Sequence, residues 1–224
     1  MGESVQFDST AGTATGYLAR PGEPGGASAG VVVIQEWWGL VPHIEDVADR
    51  VAALGYVALA PDLYHGKSTV EAEEAHHLMD GLDWGRAAQE LAGAVAYLRD
   101  VEGAGHVGVV GFCMGGALTV IAATNPGVDA YASFYGFPPE GSVDLDAISA
   151  PGLIFFGEHE ETFSVPDAQA FAEGGRERGR RAEVVVYPGA GHAFFNDTRP
   201  EAYQQAAATD AWRRTVEHFA QHLR

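Results

Sequence analysis

A mostly parallel β-sheet wound on both sides by helices, an α/β architecture, is the fold class that this sequence predicts. Three observations carry the prediction. Short β-rich apolar runs alternate with stretches of helical period, the pattern of a parallel sheet flanked by helices. A chain of 224 residues with 46% hydrophobic content can fill one core, burying roughly 70% of its unfolded surface. No internal repeat or low-complexity tract suggests a solenoid or a tail, and no loop is long enough to link domains, so a single domain over 1–224 is expected.

The elements follow in order. Thr13–Ala19 reads as an antiparallel edge strand, and Pro21–Gly30, rich in Pro, Gly, Ser and Ala, as a surface loop. Val31–Ile34 is then the first central strand, Ile44–Leu54 an amphipathic helix and Tyr56–Ala60 the next strand. A polar helical stretch around His76 and His77 precedes the helix Trp84–Val101 and the strand His106–Val110. The Ala-rich helix Met114–Asn125, the strand Ala130–Phe134 and a longer loop, Phe137–Ala150, come next. The βα repeat closes with strand Leu153–Phe156, helix Pro166–Arg178, strand Glu183–Tyr187 and helix Pro200–Leu223.

Composition removes whole classes of function. Thirteen basic against 31 acidic residues give a formal charge of −18, which repels nucleic acid and anionic membranes. Neither is an expected partner. No apolar run approaches the ~20 residues that span a bilayer, and the chain opens on polar residues rather than a basic stretch and an apolar block, so a cytoplasmic location is expected. The excess acid is consistent with high-salt adaptation or an ordinary solvated face, and names no substrate.

The only cysteine, Cys113, can form no internal disulfide and share no thiolate metal site. An inert buried side chain is the ordinary fate of such a residue. Its context argues otherwise. The strand His106–Val110 runs straight into Gly111-Phe112-Cys113-Met114-Gly115-Gly116 and then a helix, a G-x-C-x-G string at a strand-to-helix turn. A nucleophile at the tip of such a turn forces the residues two before and two after it together, so both must be small. The turn also sets the nucleophile at a helix N-terminus, where free N–H groups favour first a thiolate and then an oxyanion, and the Met114 amide is the natural first donor. A second glycine string, Gly103-Ala-Gly105-His-Val-Gly108, precedes a strand instead of following one, which excludes dinucleotide binding.

In such α/β hydrolases the acid and then the histidine follow the nucleophile in chain order. His218 and His222 fall in the last helix, where solvated positions are expected, and His159 is crowded by acids. That leaves His192, in a glycine-flanked loop after the strand Glu183–Tyr187, as the base. The acid should follow Leu153–Phe156. Glu160 is favoured, Glu161 is the alternative, and Asp167 is the weaker third because it opens the next helix. Glu36 begins the loop after Val31–Ile34 and so points toward the crevice at the strand ends. The Trp37 amide is then placed as second oxyanion donor.

These residues resemble the dienelactone hydrolases (carboxymethylenebutenolidases). The resemblance rests on Glu36 with Trp37-Trp38-Gly39, Ala60-Pro61-Asp62-Leu63-Tyr64, Gly111-Phe-Cys113-Met-Gly-Gly, Phe134-Tyr135-Gly136 and His192-Ala-Phe-Phe-Asn196, in the family's order through most of the chain. It implies a cysteine–acid–histidine triad, no cofactor and no metal, and opening of 4-carboxymethylenebut-2-en-4-olide to maleylacetate. It also implies that Glu36 takes the thiol proton when substrate binds, and that Trp38, Tyr135 and Asn196 surround the substrate. Two departures matter. The family's compact acid segment is longer here and carries Glu160 and Glu161. Asn196 stands where the well-studied members place an arginine that holds the substrate carboxylate, so a neutral substrate is expected unless Arg86 or Arg199 substitutes.

The alternatives are a general carboxylesterase or thioesterase on the same scaffold, and, from another class, a non-catalytic redox-sensing protein using Cys113 as a reversible thiol. The second gives no reason for His192 or the paired glycines. A metal hydrolase lacks its H-E-x-x-H signature. The expected partner is a small ester or lactone; whether the chain is a monomer or a small homo-oligomer is left open.

Overall fold

The computed structural model describes residues 2–22, 29–177 and 181–224. Most of the expected loop Pro21–Gly30 and the expected helix end at Arg178 lie outside the described residues. Eight strands, β1 (Glu3–Ser9), β2 (Gly12–Ala19), β3 (Ala29–Ile34), β4 (Val57–Pro61), β5 (His106–Phe112), β6 (Ala130–Phe134), β7 (Gly152–His159) and β8 (Ala182–Gly191), form one sheet in the order β1-β2-β4-β3-β5-β6-β7-β8. β1 and β2 make an antiparallel hairpin, β2 meets β4 antiparallel, and every later pairing is parallel. The helices are α1 (Pro42–Ala53), α2 (Ala72–Asp80), α3 (Trp84–Asp100), α4 (Met114–Ala122), α5 (Val165–Glu177) and α6 (Gln205–His222). This is the α/β-hydrolase fold.

The central strands are buried throughout because helices cover both faces. β3, β4 and β6 have no exposed residue, which explains their unbroken apolar runs. Neighbouring glycines report the two layers: a side chain at Gly30 would meet Leu98 of α3, while one at Gly108 would meet Phe219 and Leu223 of the C-terminal segment. Since Val31 lies opposite Gly108, Gly30 and Gly108 face opposite sides of the sheet. α1 starts at a proline compatible with the first helical turn and buries Ile44, Val47, Ala48 and Val51 at helical spacing. α3 is capped by Asp83, whose side chain accepts from the Arg86 amide at 3.0 Å, and buries Leu91, Ala94, Val95 and Leu98.

Several expectations need correction. β1 is absent from the expected strands; its alternating Val5 and Phe7, turned at Gly12 (φ 110°), pair it with β2. α4 stops at Ala122, and α6 begins at Gln205 rather than Pro200 because residues 200–202 form a turn. β8 is the last strand of the sheet. His218, expected to be solvated, is partly buried, with Nε2 3.2 Å from the Pro151 carbonyl.

Candidate active site

Cys113 stands alone between β5 and α4 with φ 56° and ψ −119°, a backbone conformation that a non-glycine residue adopts only when its surroundings impose it. The imposition comes from three contacts: the Cys113 amide donates to the Phe134 carbonyl at 3.0 Å, and its carbonyl accepts from the Gly116 and Ala117 amides at 2.9 and 3.1 Å. The steric argument for the flanking glycines holds. A methyl on Gly111 would sit against the Gly115 carbonyl and 2.5 Å from Thr119 Oγ1, and one on Gly115 would press 2.6 Å from the Ile34 carbonyl oxygen. Gly136 is equally constrained, lying against Cys113 and Ala117.

His192 follows β8, and Glu160 follows β7. The carboxylate faces His192 Nδ1 with Oε1 at 3.0 Å and Oε2 at 2.8 Å, while Oε1 also accepts from the Thr162 and Phe163 amides at 2.8 and 3.2 Å. Its side chain is 0% exposed. The meeting is a matter of register. Gly157 pairs with Tyr187, but His159 pairs with Gly191, so β8 carries two more residues than β7 over that span. That bulge, with Gly189 at φ 69°, brings residue 192 rather than residue 190 opposite Glu160. Burial works against the imidazolium, yet hydrogen bonds and charge from Cys113 and Glu160 hold the His192 pKa up to about 10 from 6.5. The ring is packed by Tyr135 at 5.1 Å and Phe163 at 6.1 Å.

Glu161 is exposed, and Asp167 lies on the first turn of α5, where its amide bonds Ser164 Oγ at 3.2 Å. Neither meets His192 among the described contacts.

The amide hydrogens of Trp37 and Met114 have no acceptor among the described residues, so both stay available to an oxyanion. Met114 begins α4, whose dipole adds to the effect. Tyr64, from the motif after β4, donates its hydroxyl to Met114 Sδ at 3.3 Å, and its pKa is raised by burial and then by Cys113.

Glu36 and the residues expected around the substrate form a buried cluster with an adjoining cavity. Glu36 is 1% exposed and Asn196 2% exposed. Asn196 Nδ2 donates to Glu36 Oε2 at 2.6 Å, and the buried Tyr135 donates its hydroxyl to Glu36 Oε1 at 3.1 Å. Burial, and then Glu36, push the Tyr135 pKa well above its usual value. Asn196 Oδ1 is taken by the Thr198 amide and hydroxyl at 3.1 and 2.6 Å. Both polar ends of Asn196 are therefore occupied. Arg86 does not bond the cluster: its Nε donates to Glu90 Oε1 at 2.8 Å, in a cleft lined by Tyr64, His65 and Lys67. Arg199 does come near, stacked 4.1 Å over the Trp38 ring, with Nε bonded to Glu201 at 3.1 Å. Trp38, Arg199 and Asn196 line a cavity of about 400 Å³.

Sequence reasoning missed Phe163 and Thr198. Thr198 had a signal, because an Asn followed two residues later by Thr forms a side-chain turn; Phe163 had none. Among the described residues no cluster of His, Cys, Asp and Glu could hold a metal ion, and no helix is long and apolar enough to cross a membrane.

A family model described as the dienelactone hydrolase family matches residues 14–223. The chain is 34% identical over 233 residues to Protein usf of Aquifex pyrophilus, covering 100% of both chains. It is 34% identical over 228 residues to a Methylorubrum extorquens protein provisionally named carboxymethylenebutenolidase, covering 94% of this chain and 78% of that protein. The crystal structure of a Klebsiella pneumoniae protein, provisionally named dienelactone hydrolase, superposes with a TM-score of 0.83 at 27% identity over 99% of this chain and 100% of that one.

Proposed function

The chain belongs to the dienelactone hydrolase family, hydrolases acting on esters or lactones, and from that premise we propose that it opens a small ester or lactone through a Cys113–His192–Glu160 triad. The observation that carries the reading is the buried Glu160 carboxylate on His192 Nδ1 at 2.8 Å, next to a cysteine at the tip of a strained strand-to-helix turn. Glu160 fixes the tautomer that leaves Nε2 free to act as base.

In acylation the thiol proton rests on His192, whose raised pKa favours the imidazolium, and the Cys113 sulfur bonds to the ester carbonyl carbon. The tetrahedral oxyanion is met by the Met114 and Trp37 amides. Collapse breaks the bond to the alkoxide, which takes the proton back from His192 and leaves a thioester on Cys113. Water, deprotonated by His192, then attacks the thioester and restores the thiol. Trp38 and the cavity beside it are the proposed resting place for the substrate's apolar part. A substrate without a free carboxylate, as in a general carboxylesterase, is favoured by a specific observation: Asn196, at the position of the family's carboxylate-holding arginine, is uncharged and spent on Glu36 and Thr198.

Hydrolysis of p-nitrophenyl acetate and of a dienelactone, at low and high salt, tests the reading. Cys113→Ala is expected to lose activity by about 10⁴-fold or more, and iodoacetamide to label Cys113 and inactivate in step. Full activity in Cys113→Ala would sink the triad. Labelling without any turnover by the wild type would favour the redox-sensing alternative.

A further inference from the structure

An acetyl group would leave most of the cavity beside Trp38 empty, since about 400 Å³ lies within the range that holds whole small-molecule ligands. Its inner wall adjoins the reaction centre. Trp38 follows the Trp37 amide, Asn196 lies four residues after His192, and the ring of His43 packs 6.5 Å from that of Phe112, the residue before Cys113. Val41 and Pro42, where α1 begins, continue the lining, and Val70, 79% exposed, forms an apolar outer lip. Asn196 and the two threonines of this wall are already engaged: Asn196 with Glu36 and Thr198, and the Thr69 hydroxyl oxygen with the Glu71 amide at 3.0 Å. A hydrocarbon group entering here would break none of those bonds.

Arg199 crosses this lining. Its guanidinium lies 4.1 Å over the Trp38 ring and is tethered through Nε to Glu201, while its two NH₂ groups have no hydrogen-bond partner among the described residues. The tether is weak, because both side chains of the pair meet solvent and an ion pair of that kind contributes little. Trp38 is nevertheless only 7% exposed, so a loosely held cation stands over the largest apolar side chain of the cavity. We propose that Arg199 is a movable cover that sets specificity: the substrate carries an uncharged hydrocarbon group well beyond acetyl size, which displaces the guanidinium and takes its place on the Trp38 ring. This rests on the Cys113 triad and names a substrate class for it. A cation over a ring at an exposed site is worth about a two- to fivefold preference, less than the burial of several methylenes returns, and the displaced guanidinium stays in water.

Methyl acetate, hexyl acetate and methyl hexanoate, followed by pH-stat titration, place the longer chain on the alcohol or the acyl side of the scissile bond. The better of the two longer esters should exceed methyl acetate about tenfold or more in kcat/KM. Arg199→Ala should lower the KM for that ester about two- to fivefold and leave its kcat within about twofold of wild type. Val70→Asp, at an exposed position, sets a charge on the lip and should raise the same KM about threefold or more. In Cys113→Ala, where binding is separated from turnover, calorimetry should show that adding Arg199→Ala tightens the same ester by the factor seen in KM. Equal kcat/KM for all three esters would overturn the inference, as would a KM unmoved in both variants. A KM that rises in Arg199→Ala would overturn it too, because the arginine stem would then hold the substrate rather than cover its place. Failure of the underlying reading would look different, as hydrolysis surviving in Cys113→Ala.

Discussion

Replacing Glu160 with glutamine changes one atom in a side chain that keeps its shape, and the hydrogen bonds around it dictate the result. Oε1 accepts from the Thr162 and Phe163 amides as well as facing His192 Nδ1. The new carbonyl oxygen must stay on those two amides, because an NH₂ there would face donors. The NH₂ therefore turns to His192 Nδ1, which must become an acceptor, moving the imidazole proton to Nε2. The base is then blocked. An acid-to-amide change of this kind in a hydrolase triad costs about 10⁴-fold in kcat, and we expect Glu160→Gln to lose about 10³- to 10⁴-fold on p-nitrophenyl acetate. Glu161→Gln, at an exposed position, should stay within about twofold of wild type. Stability should report the same pair. The His192 pKa is raised to about 10 from 6.5 in the folded chain, so its contribution is fully present below about 6.5 and is lost as pH rises through about 10. The urea midpoint of wild type should therefore exceed that of Glu160→Gln near neutrality, and the gap should narrow above about pH 10. A Glu160→Gln enzyme within threefold of wild type, or an equal loss in Glu161→Gln, would refute the reasoning.

Gly115→Ala should destabilise the fold by about 1–3 kcal/mol in urea titration, since its methyl would press on the Ile34 carbonyl at 2.6 Å and on that of Gln35. Unchanged stability would mean that the turn has slack that the structure does not show. His218 is held neutral by burial, its pKa lowered to about 4 from 6.5. Its contribution is complete above about 6.5 and is lost as pH falls through about 4, so His218→Gln should flatten the acid limb of the stability curve; an unaltered limb would remove His218 from the account. Steady-state kinetics should give a neutral short ester about tenfold or more advantage in kcat/KM over 4-carboxymethylenebut-2-en-4-olide, the worth of one missing charge-assisted hydrogen bond at ~1.5 kcal/mol. Preference for the carboxylated lactone would assign Arg199 to the substrate.

The parallel core was legible because burial on both faces leaves unbroken apolar runs, as in Val31–Ile34 and Ala130–Phe134. The elbow was legible because sterics require Gly111 and Gly115 whatever the rest of the chain does. β1 escaped because only Val5 and Phe7 mark its inner face and the remaining residues are polar. Glu160 could be favoured over Glu161 but not fixed, because the choice depends on a two-residue slip between β7 and β8 that has no local signature. Asn196 was expected beside the substrate; its partner in the structure, Glu36, is 160 residues away, and no spacing argument reaches that far. Arg86 was drawn toward the site by its charge alone, although Glu90, one helical turn on, already claims it.

The extra residues in β8 make the acid–base distance a matter of counting. Because Glu160 and His192 extend two paired strands, their alignment is metered by ladder register and not by the shape of a loop. Removing one residue between Tyr187 and His192 would leave every other strand intact while turning the imidazole to the opposite side of the sheet, a spatial frameshift. Removing two would abolish the bulge and keep the histidine opposite Glu160, because the imidazole then occupies the position that the uninterrupted register pairs with the acid. A single deletion at Pro188 or Gly189 would thus be silent in the fold and loud in the chemistry, while loss of both would be quiet in each.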